Sequence, residues 1–392
     1  MNLASLSASY VRARPLQSAL SVLLLSLGVA TIVLLVLVID QLEERMHRDA
    51  SGIDLVVGAK GSPMQLILSG IYHADAPTGN VPLAAVDLLR KNRLVKRAMP
   101  LALGDSWRGY RIVGAGKDYL EHYGAEFAAG GMYEKEMEVV LGAEVAKRTG
   151  ARVGDTFVGA HGIGGGGEEH ADAPFRVVGV LAKTRSVLDR LVLTSIESVW
   201  EIHHEEMGKE QAKEVTVVLV QYASPLAVAS LPRAINSQSE LQAASPAYET
   251  ARLFRMLGVG IEALRGFALL LIFAAGLSVF IALYTALEER RYDLAVMRTL
   301  GASPRRLFGL LMTEGVVLSL AGALLGLVLG HALASVLGVW LEREHHYSIS
   351  GLEWRLEELW LVGIALAVGI LAAFLPAWRA YRTDVSQTLA QG

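Results

Sequence analysis

Four long apolar runs constrain this chain more than any other feature. A helix crossing the hydrocarbon core of a bilayer needs about 20 apolar residues, and four segments supply them: Leu16 to Ile39, Phe267 to Leu287, Leu307 to Leu341 and Leu359 to Ala377. The first carries no charge until Asp40, and the third is interrupted only by Glu314 and His331. Arg12 and Arg14 precede the first run, as they would in a signal peptide. That run far exceeds the roughly 7–15 residues of a signal-peptide core and no small-residue cleavage site follows, so it reads as an anchor.

Composition then separates a membrane part from a water-soluble part. At 53% hydrophobic the chain is too apolar for an ordinary soluble protein, yet at 19% charged it is too polar to lie wholly in lipid. The net charge of −3 argues against a nucleic-acid partner, which calls for a basic face. With no cysteine, a disulfide framework, a thiolate metal site and a cysteine nucleophile are all excluded.

Charge in the short loops sets the orientation. Arg290, Arg291, Arg298, Arg305 and Arg306 lie between the second and third runs, and Arg379 and Arg382 follow the fourth. The segment Glu342 to Glu358 is rich in Glu and holds only Arg343 and Arg355. Both termini and the 288–306 loop are therefore expected in the cytoplasm, and the segment from about 41 to 258 outside, in the periplasm of a bacterium with two membranes. The expected division is residues 1–40, an outer domain over 41–258, and three further spans over 259–392.

The outer segment reads as a mixture of strands and helices. Glu138 to Leu141 is a strand, Ala143 to Thr149 a short helix, and Val153-Gly154-Asp155 a turn into a strand from Thr156 to Val158. Phe175 to Leu181 and Val215 to Val220 are β-branched runs expected as buried strands. Ser224 to Ile235 reads as a helix, and from Pro246 a helical pattern leads into the second span as a stalk. The fold class is thus a four-helix membrane domain with an α+β domain inserted between its first and second helices.

The segment from Glu289 to Ser303, ERRYDLAVMRTLGAS, precedes an apolar helix carrying Glu314, Gly322, Gly326 and Gly330. Together they resemble the signature of the FtsX-like permeases, a family that includes MacB-type exporters and lipoprotein-releasing permeases. The tail Pro376 to Val385 and the outer stretches Val139 to Lys147, Val153 to Asp155 and Val177 to Leu181 are similar to the family as well. The resemblance implies a homodimer in the bacterial inner membrane above two ABC ATPase subunits, whose motion is passed to the outer domains. It implies ATP and magnesium in that partner and no cofactor in this chain. No G-x-x-x-x-G-K-[ST] motif occurs; Gly179 to Thr184 ends like one but has no Gly before Lys183, so an ATPase is expected from a separate subunit.

Several residues carry two readings each. In the 288–306 loop, Leu294, Met297 and Leu300 at i, i+3, i+6 fill a partner groove while Glu289, Arg291, Asp293 and Arg298 make rim contacts, or the loop is a plain basic anchor. Gly322, Gly326 and Gly330 form a small-x-x-x-small ridge for close packing within or across subunits; glycine is also simply common in membrane helices. Glu314 lies about two turns from the cytoplasmic end, where it pairs with an Arg or relays protons. Met64, Leu66, Ile67, Leu68, Ile71 and Tyr72 line an apolar substrate surface or sit in the outer domain's core. His161 and His170, with Glu168, Glu169 and Asp172 on one glycine-rich loop, are a transition-metal site of zinc type or a solvated tip. His203-His204-Glu205-Glu206 reads as an exposed helix face.

Three functions follow. The first is a permease that exports or extracts a periplasmic substrate, with a periplasmic adaptor or substrate-binding protein and membrane lipids as further partners. The second is a signal transmitter acting on a periplasmic protein such as a cell-wall hydrolase. The third, metal-linked transport or an enzymatic outer domain, has no catalytic constellation to support it.

Overall fold

The computed structural model describes residues 15–162, 173–202, 213–345 and 349–382. The chain divides into two compact units, one formed by residues 1–42 and 257–392 and the other by residues 43–256.

Helix α1 (Pro15–Asp49) opens the chain. The 43–256 unit then follows in the order β1 (Leu55–Ala59), α2 (Pro63–Gly70), β2 (Val81–Pro82), α3 (Leu83–Lys91), β3 (Val95–Trp107), β4 (Tyr110–Ala115), α4 (Lys117–His122), β5 (Phe127–Gly130) and β6 (Glu138–Leu141). It continues with α5 (Ala143–Thr149), β7 (Thr156–Phe157), β8 (Ala160–His161), β9 (Phe175–Leu181), a 3₁₀ turn at Val187–Arg190, β10 (Val192–Thr194), α6 (Ile196–Ile202), β11 (Glu214–Val215), β12 (Val217–Tyr222), α7 (Ala227–Gln238) and β13 (Leu241–Ala244). Helices α8 (Pro246–Glu289), α9 (Arg291–Thr299), α10 (Pro304–His345) and α11 (Glu357–Tyr381) complete the described chain.

One sheet organises the α/β unit, in the order β13-β1-β12-β3-β4-β10-β6-β9-β5, with β7 on β9 and β8 on β3. Its pairs are antiparallel except β10 with β4 and β6 with β9. Val and Leu supply most of β1 and β12, and these strands and β4 are buried on most of their residues, as expected where both faces are covered. In β9 the buried residues alternate with more open ones, so one face meets the core and the other meets water.

The long strand β3 joins two cores. Its first half runs beside β12, and the register with β4 shifts between Leu103 and Ser106. One core gathers Leu55, Val57, Val86, Val218, Val220 and Leu231. The other gathers Ile112, Val139, Leu141, Phe175, Val177 and Val192. The irregularity re-aims β3 from the first to the second, the usual effect of a bulge.

In the helical unit, α1, α8, α10 and α11 are each long and apolar enough to cross a membrane. Leu25, Val29, Val33, Ile272, Ala323 and Ala365 form one buried cluster among them. A second, toward the ends joined by α9, gathers Leu283, Leu287, Leu294, Leu307, Leu311 and Ala377. Apolar side chains such as Leu270, Phe273, Val328 and Leu371 remain outside, 65–73% exposed, which is the pattern of a face turned to lipid tails rather than water.

Candidate functional site

The expected glycine ridge meets a specific partner. A Cβ on Gly322 would lie 2.9 Å from the Leu25 side chain, on Gly326 2.6 Å from Val29 Cβ, and on Gly330 2.7 Å from Val33 Cβ. Each glycine thus receives one side chain of α1, in step with the four-residue repeat on both helices. Of the two placements open to the ridge, the structure therefore uses it within the subunit, between α10 and α1. Glycines also mark the approach of α10 to α11, where a Cβ on Gly315 would sit 2.6 Å from Ala373 Cβ.

Glu314 is 3% exposed and its Oε1 lies 3.4 Å from Arg290 Nη1. The pair ties α10 to the residue at which α8 ends and α9 begins. His331 Nδ1 lies 2.7 Å from the Gly351 carbonyl and its Nε2 2.9 Å from Glu358 Oε2, with Trp354 against the ring at 4.4 Å. A carbonyl only accepts, so Nδ1 carries a hydrogen and donates it. Nearby, Gln41 of α1 donates to the Ser350 carbonyl at 2.8 Å and accepts from Ser350 N–H at 2.8 Å. The segment 349–358 is thereby fastened to two helices.

The loop between α8 and α10 is a formed element. Helix α9 ends in a Schellman motif: Ala302 N–H donates to the Met297 carbonyl at 3.0 Å and Gly301 N–H to the Arg298 carbonyl at 3.1 Å. Gly301 has φ +97°, a conformation open to glycine and strained for other residues. Pro304 then starts α10, where the missing N–H costs nothing. The Leu-Gly-Ala-Ser-Pro run of the sequence is thus a helix stop followed by a helix start.

The burial of α9 corrects one expectation. Leu294 and Ala295 are 5% and 0% exposed and Leu294 belongs to the bundle cluster, against which Met297 is packed. Leu294 thus faces its own subunit, while Met297 is half-buried. Leu300 is 82% and Tyr292 54% exposed, and Glu289 is exposed as well, while Arg298 is half-buried. The side chains of Arg291 and Asp293 lie outside the described residues. Three residues at i, i+3, i+6 drift around a helix, so Leu294 and Leu300 end on different faces.

Of the two readings of the apolar segment 64–72, most of its residues follow the core one. Leu66, Ile67 and Ile71 are 0–1% exposed and Tyr72 is 5% exposed, so they belong to the interior of the α/β unit. Met64 and Leu68 are half-buried. Ser62 caps α2 by accepting from Gln65 N–H and Pro63 occupies its first turn, which fixes a short amphipathic helix rather than an open surface.

His161 sits on β8 with Nδ1 3.2 Å from Asp105 Oδ1. His170, Glu168, Glu169 and Asp172, together with His203 to Glu206, lie outside the described residues. Among the described residues no cluster of three or more His, Asp or Glu has metal-site geometry.

Two features escaped the sequence reading. One is a cleft of about 490 Å3 lined by Trp107, Arg108, Gly150, Asp155 and Phe157 among others, in which Trp107 stacks on Phe157 at 4.0 Å and the Arg108 guanidinium lies 5.2 Å from the Trp107 ring. The other is a polar network around Asp49. Arg190 Nη2 lies 3.4 Å from Asp49 Oδ2, Tyr123 Oη donates to the Asp49 carbonyl at 2.6 Å, and Arg48 Nη1 donates to the Arg185 carbonyl at 3.1 Å. Asp49 lies ten residues beyond the apolar run that ends at Ile39, within the α/β unit. Burial pushes its carboxyl up to about 6, against the opposing pull of Arg190, the Val187 N–H, Arg45 and Arg48. The only available signal was an acidic residue in the last turn of a helix, which propensity alone does not explain.

Four apolar helices, an α/β unit inserted between the first and second, and a short amphipathic helix in the loop before the third define a polytopic transporter subunit of the permease type. The MacB-like periplasmic core domain model matches residues 18–238 and the FtsX-like permease C-terminal model matches residues 265–385. The chain belongs to this FtsX-like, MacB-like family of ABC transporter permeases.

Among curated relatives, the chain is 30% identical over 156 residues to the lipoprotein-releasing system transmembrane protein LolC of Xylella fastidiosa, covering 36% of this chain and 38% of the relative. It is 25% identical over 281 residues to LolE of Haemophilus influenzae, covering 66% and 65%. The chain therefore spans less than two thirds of the length of either. The extracellular domain of the noncanonic ABC-type transporter YknZ from Gram-positive bacteria is 13% identical, with a TM-score of 0.31, over 49% of this chain and 98% of that domain.

Proposed function

We propose that this chain is the membrane subunit of an ABC machine, working as a homodimer in a bacterial inner membrane with a separate ATPase that supplies ATP and magnesium. Motion of that ATPase enters at α9 and is transmitted along the helices to the periplasmic α/β unit, where it drives extraction or export of cargo. The observation that carries this reading is the two-sided character of α9: Leu294 is built into the bundle while Tyr292 and Leu300 stay exposed on a short, capped helix. A helix clamped by one face and open on the other suits a handle gripped by another protein. The lipoprotein-releasing relatives make a lipid-bearing cargo the first to try.

The test is retention of the ATPase by the tagged chain in mild detergent. Leu300→Glu is expected to lose the ATPase while leaving the melting temperature within a degree or two, because the residue touches little of its own chain. Leu294→Glu is expected to unfold the bundle instead. Full retention of the ATPase by Leu300→Glu would remove α9 as the docking element. The same pull-down identifies any adaptor, substrate-binding protein or hydrolase held by the complex, and a hydrolase without a transported cargo would move the reading to signal transmission.

A further inference from the structure

The last turn of α1 is held in a way that its own sequence does not require. A helix leaves its last four carbonyls without intrahelical partners, and chains commonly satisfy them with a glycine turn or with water. Here the backbone supplies Ala50 N–H to the Met46 carbonyl at 3.1 Å and Ser51 N–H to the Arg48 carbonyl at 3.2 Å, just before Gly52 at φ +74°, and side chains from well-separated parts of the α/β unit add to these. Tyr72 Oη donates to the Met46 carbonyl at 3.2 Å and lies 3.0 Å from Thr250 Oγ1 of α8. Tyr123 donates to the Asp49 carbonyl, and His122 Nε2 donates to the Ser51 carbonyl at 2.9 Å. The first contact comes from the residues after α2, the other two from the end of α4.

The carboxylate of Asp49 adds a second signal. A negative charge in the last turn of a helix meets the negative end of the helix dipole, and Asp49 is 6% exposed, so the position disfavours it twice. Arg190 answers that charge from the 3₁₀ turn, and that turn is itself rigid. Asp189 accepts from Thr184 N–H and Thr184 Oγ1 at 2.8 Å each and from Arg185 N–H at 2.9 Å. The Arg185 carbonyl so fixed accepts from Arg48 of α1. Asparagine or alanine at position 49 would avoid the conflict. A charge kept where its surroundings disfavour it points to use rather than to stability.

We propose that Asp49–Arg190 and the Tyr72 bridge are the grip by which α1 and α8 move the α/β unit, with Asp49, Arg190 and Tyr72 as positioning residues of transmission. This rests on the transmission reading above. Tyr72 locks the two helix ends to one another, so they move as a pair. Arg190, Tyr123 and His122 lock that pair to the half of the unit built on β4, β6 and β9. Loss of the grip leaves ATP turnover, which occurs in the partner, and removes the response of the outer unit.

The chain has no cysteine, so a single exposed reporter is clean. Asp87→Cys, spin-labelled in the full-length complex with its ATPase, reports the distance between the two α/β units of a homodimer. In the otherwise unchanged chain, this distance is expected to shift when the ATPase is trapped with vanadate. In Asp49→Asn and in Tyr72→Phe the shift is expected to fall to less than a third, with ATP turnover within twofold. Exchanging the charges, Asp49→Arg with Arg190→Asp, is expected to restore it. Arg190→Lys, which keeps the charge, guards against a variant that simply misfolds. A full shift in both Asp49→Asn and Tyr72→Phe would overturn the grip while leaving transmission standing. No dipolar signal or no shift in the unchanged background would sink the homodimeric transmission reading, and the grip with it.

Discussion

Arg290 and Glu314 show how a single charged pair can be both costly and indispensable. Glu314 is buried and Arg290 half-buried, and breaking a buried pair costs up to about 3–5 kcal/mol. Arg290→Leu is therefore expected to lower the melting temperature of the detergent-purified protein sharply. Arg290→Leu with Glu314→Leu is expected to recover most of the loss; a double variant no better than the single one would show that the pair is not the reason for the burial. Asp49 makes a pH prediction of definite sign. Its folded carboxyl titrates at about 6 against an ordinary 3.8, so between those values the folded state holds the proton more tightly than the unfolded state does. Stability from this group is greatest at low pH and falls as pH rises through about 4 to 6, by at most roughly 3 kcal/mol. The melting temperature of Asp49→Asn should lack that part of the pH slope, and identical slopes in the two proteins would refute the assignment.

At the scale of elements, the glycines divide into those that are filled against and those that are free. Gly326→Leu is expected to force α1 from α10, because its Cβ already meets Val29 Cβ at 2.6 Å and the Ser26 carbonyl at 2.9 Å. Gly258→Ala in α8 meets nothing within 4 Å and is expected to be neutral or to stabilise by up to about 1 kcal/mol. Circular dichroism melts of the two variants check both. Much of this level was legible in advance. The four spans, β6, α5 and β9 follow from hydropathy and period, signals that survive folding because they are local. The ridge 322–326–330 was legible as a spacing, but its partner on α1 was not, since Leu25, Val29 and Val33 look like any other apolar residues of a span. The face of α9 was misread for a related reason: hydrophobic residues of a short loop helix serve the chain's own bundle as readily as a partner, and only the position of Leu307 and Leu311 across from Leu294 decides.

On the scale of the molecule, the outer unit resisted prediction more than the spans did. Strand β1 pairs with β12 and β13, and β4 with β10, across long stretches of chain, and β3 serves two cores, which no local pattern announces. The Asp49 network is less visible still, because Tyr123 and Arg190 look ordinary in sequence, Tyr72 reads only as the end of an apolar stretch, and all three acquire this role only where the topology gathers them. The segment 349–358 makes the corresponding prediction for the helical unit. With His331 between the Gly351 carbonyl and Glu358, His331→Ala should free that segment. Proteolysis after Arg355 in reconstituted vesicles is expected to rise several-fold, and unchanged protection would show that Gln41 and Ser350 hold it alone.

The division of the helical unit between the two ends of the chain also dictates an order of assembly. Val29 finds its pocket at Gly326, yet the whole α/β unit is synthesised between them. At roughly 5–20 residues per second, α1 therefore waits for tens of seconds in the bilayer before the helix it packs against exists. It can wait there because a lone apolar span is stable in lipid, where no hydrophobic force drives helices together before their shapes match. The glycine ridge thus acts as a delayed lock, closing only after the outer unit has emerged. A substitution such as Gly326→Leu is accordingly expected to leave each half of the chain inserted, with α1 unmated and exposed to membrane quality control.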